Sequence, residues 1–212
     1  AIVDLANAYP GDIDLLAIGP LTNVALALAM DRDLPSKIRE LWIMGGCDNS
    51  EGNVTAAAEY NFFVDPEAAQ MVLSAGFATT IVTWTLTLAQ ATWDDQQLDT
   101  IRNMGTPLSE FFSILDAPNR EFNGSVGVPG STHPDSLTAM LLVEPGLIRR
   151  SSPRYVEVET HSELTRGYSL MDSREGRPSG VHMPNATVIE EVDEQGFYTK
   201  FMTLLETTVK RR

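Results

Sequence analysis

Between Asp14 and Trp84 the chain repeats one grammar: a short apolar run, a helical stretch, then another apolar run. Asp14 to Ile18 is apolar and bounded by turn residues, as a buried strand of a parallel sheet is. Pro20 to Met30 suits a helix, with the proline near its first turn and Leu26, Ala27 and Met30 on one face. Ile38 to Met44 is a second strand, stopped by Gly45-Gly46. Pro66 to Ser74 is helical with Gly76 as its end signal, and Thr79 to Trp84 is a third strand, rich in β-branched residues. This alternation predicts an α/β fold: an open, mainly parallel, Rossmann-like sheet flanked by helices.

The remainder fits around that sheet. Ile2 to Tyr9 reads as the end of a helix closed by Pro10-Gly11. Asp94 to Phe122 is helical and flanks the sheet, and Gly124 to Asp135 is a loop rich in Gly, Ser and Pro. Leu137 to Leu142 continues from it as a helix. Tyr155 to Val158, Tyr168 to Met171 and Thr187 to Val192 predict an antiparallel meander, and Phe197 to Val209 a closing amphipathic helix. No repeat, low-complexity tract or linker divides the chain, so residues 1–212 are expected to form one domain. A sheet of this kind binds its ligands outside the carboxyl ends of its strands. That points to the loops after Ile18, after Met44 and before Asp135.

Charge narrows the partners. The chain carries 29 acidic against 15 basic residues, a formal net charge of −14, which argues against a nucleic-acid surface because such surfaces need clustered Lys and Arg. No run approaches the roughly eighteen apolar residues of a membrane span. Ala1-Ile2-Val3-Asp4-Leu5 has no basic start or cleavage pattern, so no signal peptide is expected. The single cysteine, Cys47, forms no internal disulfide, and a cytoplasmic location is expected. Cys47 has no histidine near it in sequence and reads as a small residue at a strand end, not a nucleophile.

The most chemically suggestive segment is Gly52-Asn53-Val54-Thr55-Ala56-Ala57-Ala58-Glu59-Tyr60-Asn61, followed by Asp65-Pro66-Glu67. Asn53, Glu59 and Asn61 bring amide donors, amide acceptors and a carboxylate within nine residues. A ribose presents hydroxyls that each donate and accept, and this set satisfies several of them together. On an extended segment Glu59 and Asn61 would share a side while Tyr60 faced away. Spacing alone leaves an ordinary polar loop as the simpler reading.

The order of motifs adds to this. Leu16-Ala17-Ile18-Gly19-Pro20-Leu21-Thr22-Asn23, Trp42-Ile43-Met44-Gly45-Gly46, the Asn53 to Ala69 block, His133-Pro134-Asp135-Ser136-Leu137 and Thr165-Arg166-Gly167 resemble the nucleoside hydrolase family of the inosine-uridine type. The family's opening Asp-x-Asp-x-x-x-Asp-Asp motif is not among them. The resemblance implies hydrolysis of the N-glycosidic bond of a ribonucleoside to base and ribose, with a calcium ion holding the attacking water. It implies Asp135 as a carboxylate ligand of calcium and the carbonyl of Ile18 as a backbone ligand. It implies Asn53, Glu59 and Asn61 as the ribose clamp, with Met44 against the sugar and Tyr60 where the family usually has Phe. A small-molecule ribonucleoside is the implied partner, and relatives suggest a homodimer or homotetramer.

Departures are as informative. Some members place a histidine directly before the metal-binding aspartate as the leaving-group acid; here Pro134 stands there and His133 lies one residue earlier. His133 is the candidate acid, against a loop histidine on the rim. Trp84, Trp93 and Phe122 are candidates to stack on a base, with core packing as the default. Thr85 stands where many members have Asp. Asp12 and Asp14, Asp31 and Asp33, and Asp94 and Asp95 read as loop or helix-end charges, and His161 and His182 as surface residues. The first strands of the sheet and the remaining calcium ligands are expected upstream of Ala1. The chain alone is therefore expected to fold poorly and not to turn over substrate. The competing reading is a catalytically inactive ribose- or nucleoside-binding member of the family. A dinucleotide enzyme is disfavoured because no Gly-x-Gly-x-x-Gly follows a strand.

Overall fold

A computed structural model of the chain describes residues 1–125, 129–174 and 183–207. In chain order the elements are α1 (Ile2–Ala8), β1 (Ile13–Ala17), α2 (Thr22–Met30), α3 (Leu34–Lys37), β2 (Ile38–Met44), α4 (Tyr60–Val64), α5 (Pro66–Leu73), β3 (Thr79–Val82), α6 (Trp84–Gln90), β4 (Thr92–Trp93), α7 (Asp95–Arg102), α8 (Pro107–Ser125), β5 (Ser131–Thr132), α9 (Pro134–Val143), β6 (Ile148–Val158), β7 (Ser169–Asp172), β8 (Ala186–Val192) and α10 (Glu194–Glu206). Six strands form one sheet in the order β1-β2-β3-β8-β6-β7, and β4 and β5 form a small separate pair.

β1, β2, β3 and β8 run parallel. β6 is antiparallel to both β8 and β7. The expected mainly parallel α/β sheet is therefore present, but the meander is not. In a meander β7 would separate β6 from β8, whereas here β6 lies between them and β8 joins β3. The reason is burial. Val188 and Ile189 are both almost fully covered, one on each face of the sheet, and only a central strand covers both of its faces.

Period-two alternation sorts the core into two layers. Leu41 and Ile43 of β2 pack on one face with Val24, Leu28, Phe62, Val72 and Ile81. Trp42 packs on the other with Leu86, Leu137, Leu141, Phe197 and Phe201. The sheet is thus sandwiched, with α1 to α5 on one side and α6, α7, α9 and α10 on the other. The expected apolar face of α2 is corrected: Leu26 and Met30 are exposed, while Val24, Ala25, Ala27 and Leu28 are buried. β1 is half-buried along its whole length, not buried, because it lies at the end of the sheet order. No helix among the described residues is long and apolar enough to cross a membrane.

Trp84 does not end the third strand. It opens α6, where the Thr83 side chain accepts from Leu86 N at 3.2 Å and caps the helix. At the C-terminal ends of β1, β2 and β3, then, the chain leaves the sheet through Ile18, Gly45 and Thr83.

Candidate active site

Gly46 ties three elements together just beyond β2. Its φ of +72° is left-handed, and a Cβ there would lie 2.8 Å from Ser169 Oγ, so glycine alone fits. Its N–H donates to Glu59 Oε2 at 2.8 Å, and its carbonyl accepts from Trp84 N at 2.8 Å. The end of β2 is thereby pinned to the starts of α4 and α6.

Glu59 is 2% exposed and caps α4. Its Oε1 accepts from Asn61 N at 2.8 Å, and its Oε2 also accepts from Phe62 N at 3.3 Å. Burial pushes the carboxyl up; the backbone N–H groups of Asn61, Gly46 and Phe62 pull it down, and the Asp135 carboxylate pushes it up further. The parity argument for this segment therefore fails: Tyr60 and Asn61 are helical, and Glu59 faces inward as a cap. Three of the roughly four acceptor directions of its carboxylate are used by backbone.

Asn61 is buried and donates through Nδ2 to the Met44 carbonyl at 3.0 Å and to Met44 Sδ at 3.3 Å. Among the described residues no group donates to its Oδ1, which stays available. Met44 is itself buried, so its backbone and sulfur orient Asn61. Asn53 is exposed and accepts from Tyr60 N at 2.9 Å, leaving its Nδ2 as a free donor. Tyr60 is 54% exposed. Asn53, Glu59 and Asn61 are thus drawn together at the end of β2.

Beside them lies a cavity of about 640 Å³ lined by Asn53, Tyr60, Trp84, Leu88, Asn119 and Pro134, among others. Pro134 opens α9, and Asp135 follows in its first turn. Asp135 accepts no hydrogen bond from any described residue, and desolvation pushes its carboxyl up. Its repulsion of Glu59 puts the two carboxylates in one electrostatic neighbourhood. An uncompensated carboxylate of this kind fits a ligand of a hard cation. Ile18 is exposed at the end of β1. The described residues alone do not complete such a site: nowhere do three or more His, Cys, Asp or Glu side chains gather to hold a metal.

His133 is placed elsewhere. It is buried, its ring centroid 4.2 Å from that of Trp93 and 5.4 Å from that of Phe112. Among the described residues its Nε2 has no partner, and burial lowers its pKa to about 4, against an opposing pull from Asp116. Trp93 is fully buried among Phe197, Tyr198 and Phe201, which leaves Trp84 as the tryptophan at the cavity. The Phe122 side chain and His182 lie outside the described residues. Cys47 is buried, and desolvation, with a contribution from Glu59, pushes its thiol up to about 12. Thr85 Oγ1 accepts from Asp48 N at 3.0 Å, so this departure still holds the loop after Gly46. Arg166 forms a two-pronged pair with Glu67 at 2.7 Å, and Gly167 turns at φ +79°, so this motif is structural.

Sequence reasoning missed three contributors. Leu88, Asn119 and Asn123 line the cavity, and the signal for the last two was the four-residue spacing of two asparagines in a helical segment. It also missed Arg154, which is buried between Asp48 and Glu190 and anchors the loop that leads to the clamp.

Comparison with known proteins places the fold in a family. The profile of the inosine-uridine preferring nucleoside hydrolases matches residues 1–199. A protein of Shewanella sp. (strain ANA-3) named pyrimidine-specific ribonucleoside hydrolase RihA is 37% identical over 194 residues, covering 87% of this chain and 57% of its own length. A solved inosine-guanosine nucleoside hydrolase superposes with a TM-score of 0.87 at 29% identity, over 98% of this chain and 67% of that one. A purine-preferring ribonucleoside hydrolase from Gardnerella vaginalis gives a TM-score of 0.83 at 26% identity, over 96% of this chain and 63% of that one. The chain spans less than two thirds of the length of the curated relative. By sequence profile and by fold, it belongs to the inosine-uridine preferring nucleoside hydrolase family.

Proposed function

We propose that the protein hydrolyses the N-glycosidic bond of ribonucleosides, releasing free base and ribose. The observation that carries this reading is the grouping of Asn53, Glu59 and Asn61 at the end of β2, where Asp135 acts electrostatically on Glu59, beside a cavity whose wall includes Asn53, Tyr60 and Pro134. In this reading Asn61 Oδ1 and Asn53 Nδ2, both unengaged, hold ribose hydroxyls. Glu59 keeps one acceptor direction for a further hydroxyl while fixing Asn61 through its backbone N–H.

The chemistry follows from charge. As the bond from the anomeric carbon to the base nitrogen breaks, the ribose ring gains oxocarbenium character. Two nearby carboxylates in a partly desolvated site favour that positive charge. Water forms the new carbon–oxygen bond, and the proton it gives up is balanced by the proton the departing base gains. The Trp84 and Tyr60 walls offer flat surfaces for the base. Calcium, when bound, would orient and acidify the attacking water, with Asp135 and the Ile18 carbonyl as its ligands from this chain. The position of His133 lends no support to it as leaving-group acid, because it is buried on Trp93 and neutral at physiological pH.

The binding-only reading is favoured by one observation, the lack of a third clustered acidic ligand among the described residues. A chromatographic assay of base release from purine and pyrimidine ribonucleosides by the intact protein separates the two. Base and ribose in equal amounts support hydrolysis. Saturable nucleoside binding without base release supports the alternative.

A further inference from the structure

We infer that Asn49 and Ser169 are positioning residues for the nucleoside site: through them β7, at the far end of the sheet order, sets where Asn53 and Asn61 point. This inference rests on the nucleoside reading above and names two residues through which that site is held in shape.

Beyond Gly46 the chain runs outside the sheet, so its buried backbone groups need partners from side chains. Cys47 is 1% exposed, and one hydroxyl serves both its N–H and its carbonyl. Ser169 Oγ accepts from Cys47 N at 2.8 Å and donates to the Cys47 carbonyl at 2.7 Å. Two residues on, the roles reverse. Asn49 Nδ2 donates to the Met171 carbonyl at 2.7 Å, and its Oδ1 accepts from Met171 N at 3.0 Å. The Asn49 amide thus stands in for a peptide unit and pairs with β7 as a neighbouring strand would. Tyr168 Oη donates to the same Oδ1 at 3.2 Å. Asn49 holds a φ of +50° here, a left-handed backbone that asparagine adopts more readily than most residues.

Each contact reaches the site by a short path. Ser169 Oγ lies so close to Gly46 that a Cβ there would sit 2.8 Å away. Gly46 N donates to Glu59 Oε2, and Glu59 Oε1 accepts from Asn61 N. A shift of the Ser169 hydroxyl therefore shifts the cap that orients Asn61. On the other side of Asn49, Gly52 is seated against Ala58, where a Cβ would lie 1.9 Å from the Ala58 carbonyl oxygen. Asn53 follows, with its Oδ1 on Tyr60 N. The loop is thus held by β7 at residues 47–49 and by the approach to α4 at residues 52–53, and Asn53 Nδ2 takes its direction from that span.

The test uses the intact protein, N49G and S169A, with N53A and N61A as references and folding checked by circular dichroism. Glycine keeps the left-handed backbone at position 49 while removing the amide, and Asn49 is exposed, so N49G is expected to fold. For inosine and uridine, each with its 2′-, 3′- and 5′-deoxy analogues, kcat, KM and calorimetric Kd are measured. The expected loss in kcat/KM is about tenfold in each variant, within the roughly hundredfold that a small misplacement can cost. For N49G that loss falls towards one on the analogue whose missing hydroxyl is also non-additive with N53A; for S169A it does so on the analogue non-additive with N61A. Equal losses on every analogue, or no loss, overturn the inference and leave hydrolysis standing. Additive losses in N53A and N61A remove those residues from the sugar and overturn the inference with them. The expected pattern in Kd without base release upholds it while overturning the hydrolase reading, and no binding of either nucleoside overturns both. If S169A does not fold, N49G decides alone.

Discussion

Asn61 is the residue on which the reading of the site turns, because its amide is fixed by Met44 and its oxygen remains unclaimed. Replacing it with alanine removes a buried partner of a sugar hydroxyl, a loss of about 1–3 kcal/mol. Asn61→Ala in the intact protein should lower kcat/KM on a ribonucleoside by roughly tenfold to a hundredfold, and an unchanged rate would remove it from the site. Glu59 has a second duty as a cap. Glu59→Gln turns an amide NH2 towards backbone N–H donors that now meet oxygen, so urea unfolding should show a loss of roughly 1–3 kcal/mol. Cys47 offers a check on burial. A thiol pushed up to about 12 is protonated at pH 8, so a thiol-specific reagent should modify it only after unfolding, and rapid labelling of the native protein would contradict the structure. The polar residue types of this segment were legible in the sequence; their geometry was not. A run of Tyr60, Phe62, Phe63 and Val64 carries strand-forming residues, yet the Glu59 and Asp65 side chains cap two successive helices there.

Among the elements, β2 was legible at its end, since Leu41 to Met44 is apolar and Gly45-Gly46 stops it. The helix at Trp84 was not, because Trp-Thr-Leu-Thr-Leu alternates as a strand does. What makes it helical is its Thr83 cap and the Thr87 hydroxyl donating to the Trp84 carbonyl at 2.9 Å. The place of β8 was also hidden, because its pairing with β3 is set by residues far away in sequence. Arg154 shows how elements hold the site. It links β6 to Glu190 of β8 and to Asp48 in the loop after β2. Arg154→Met leaves two carboxylates without their shared cation, and breaking a buried pair costs about 3–5 kcal/mol. Thermal unfolding should show a clear loss of stability, with faster amide exchange in residues 45–52. An unaltered exchange pattern there would mean that the loop is held by other contacts.

For the whole molecule, the parallel sheet explains why one end gathers the chemistry. Ile18, Met44 and Trp84 all lie where β1, β2 and β3 finish, and α9 brings Asp135 towards the same end. The sequence motifs announced these loops separately, and only the sheet order makes them neighbours. The most direct measurement is a crystal structure of the intact protein with calcium and ribose, the product sugar. The account predicts ribose hydroxyls within hydrogen-bond reach of Asn61 Oδ1 and a cation on the Asp135 carboxylate. A sugar bound elsewhere, or a cation that ignores Asp135, would contradict it.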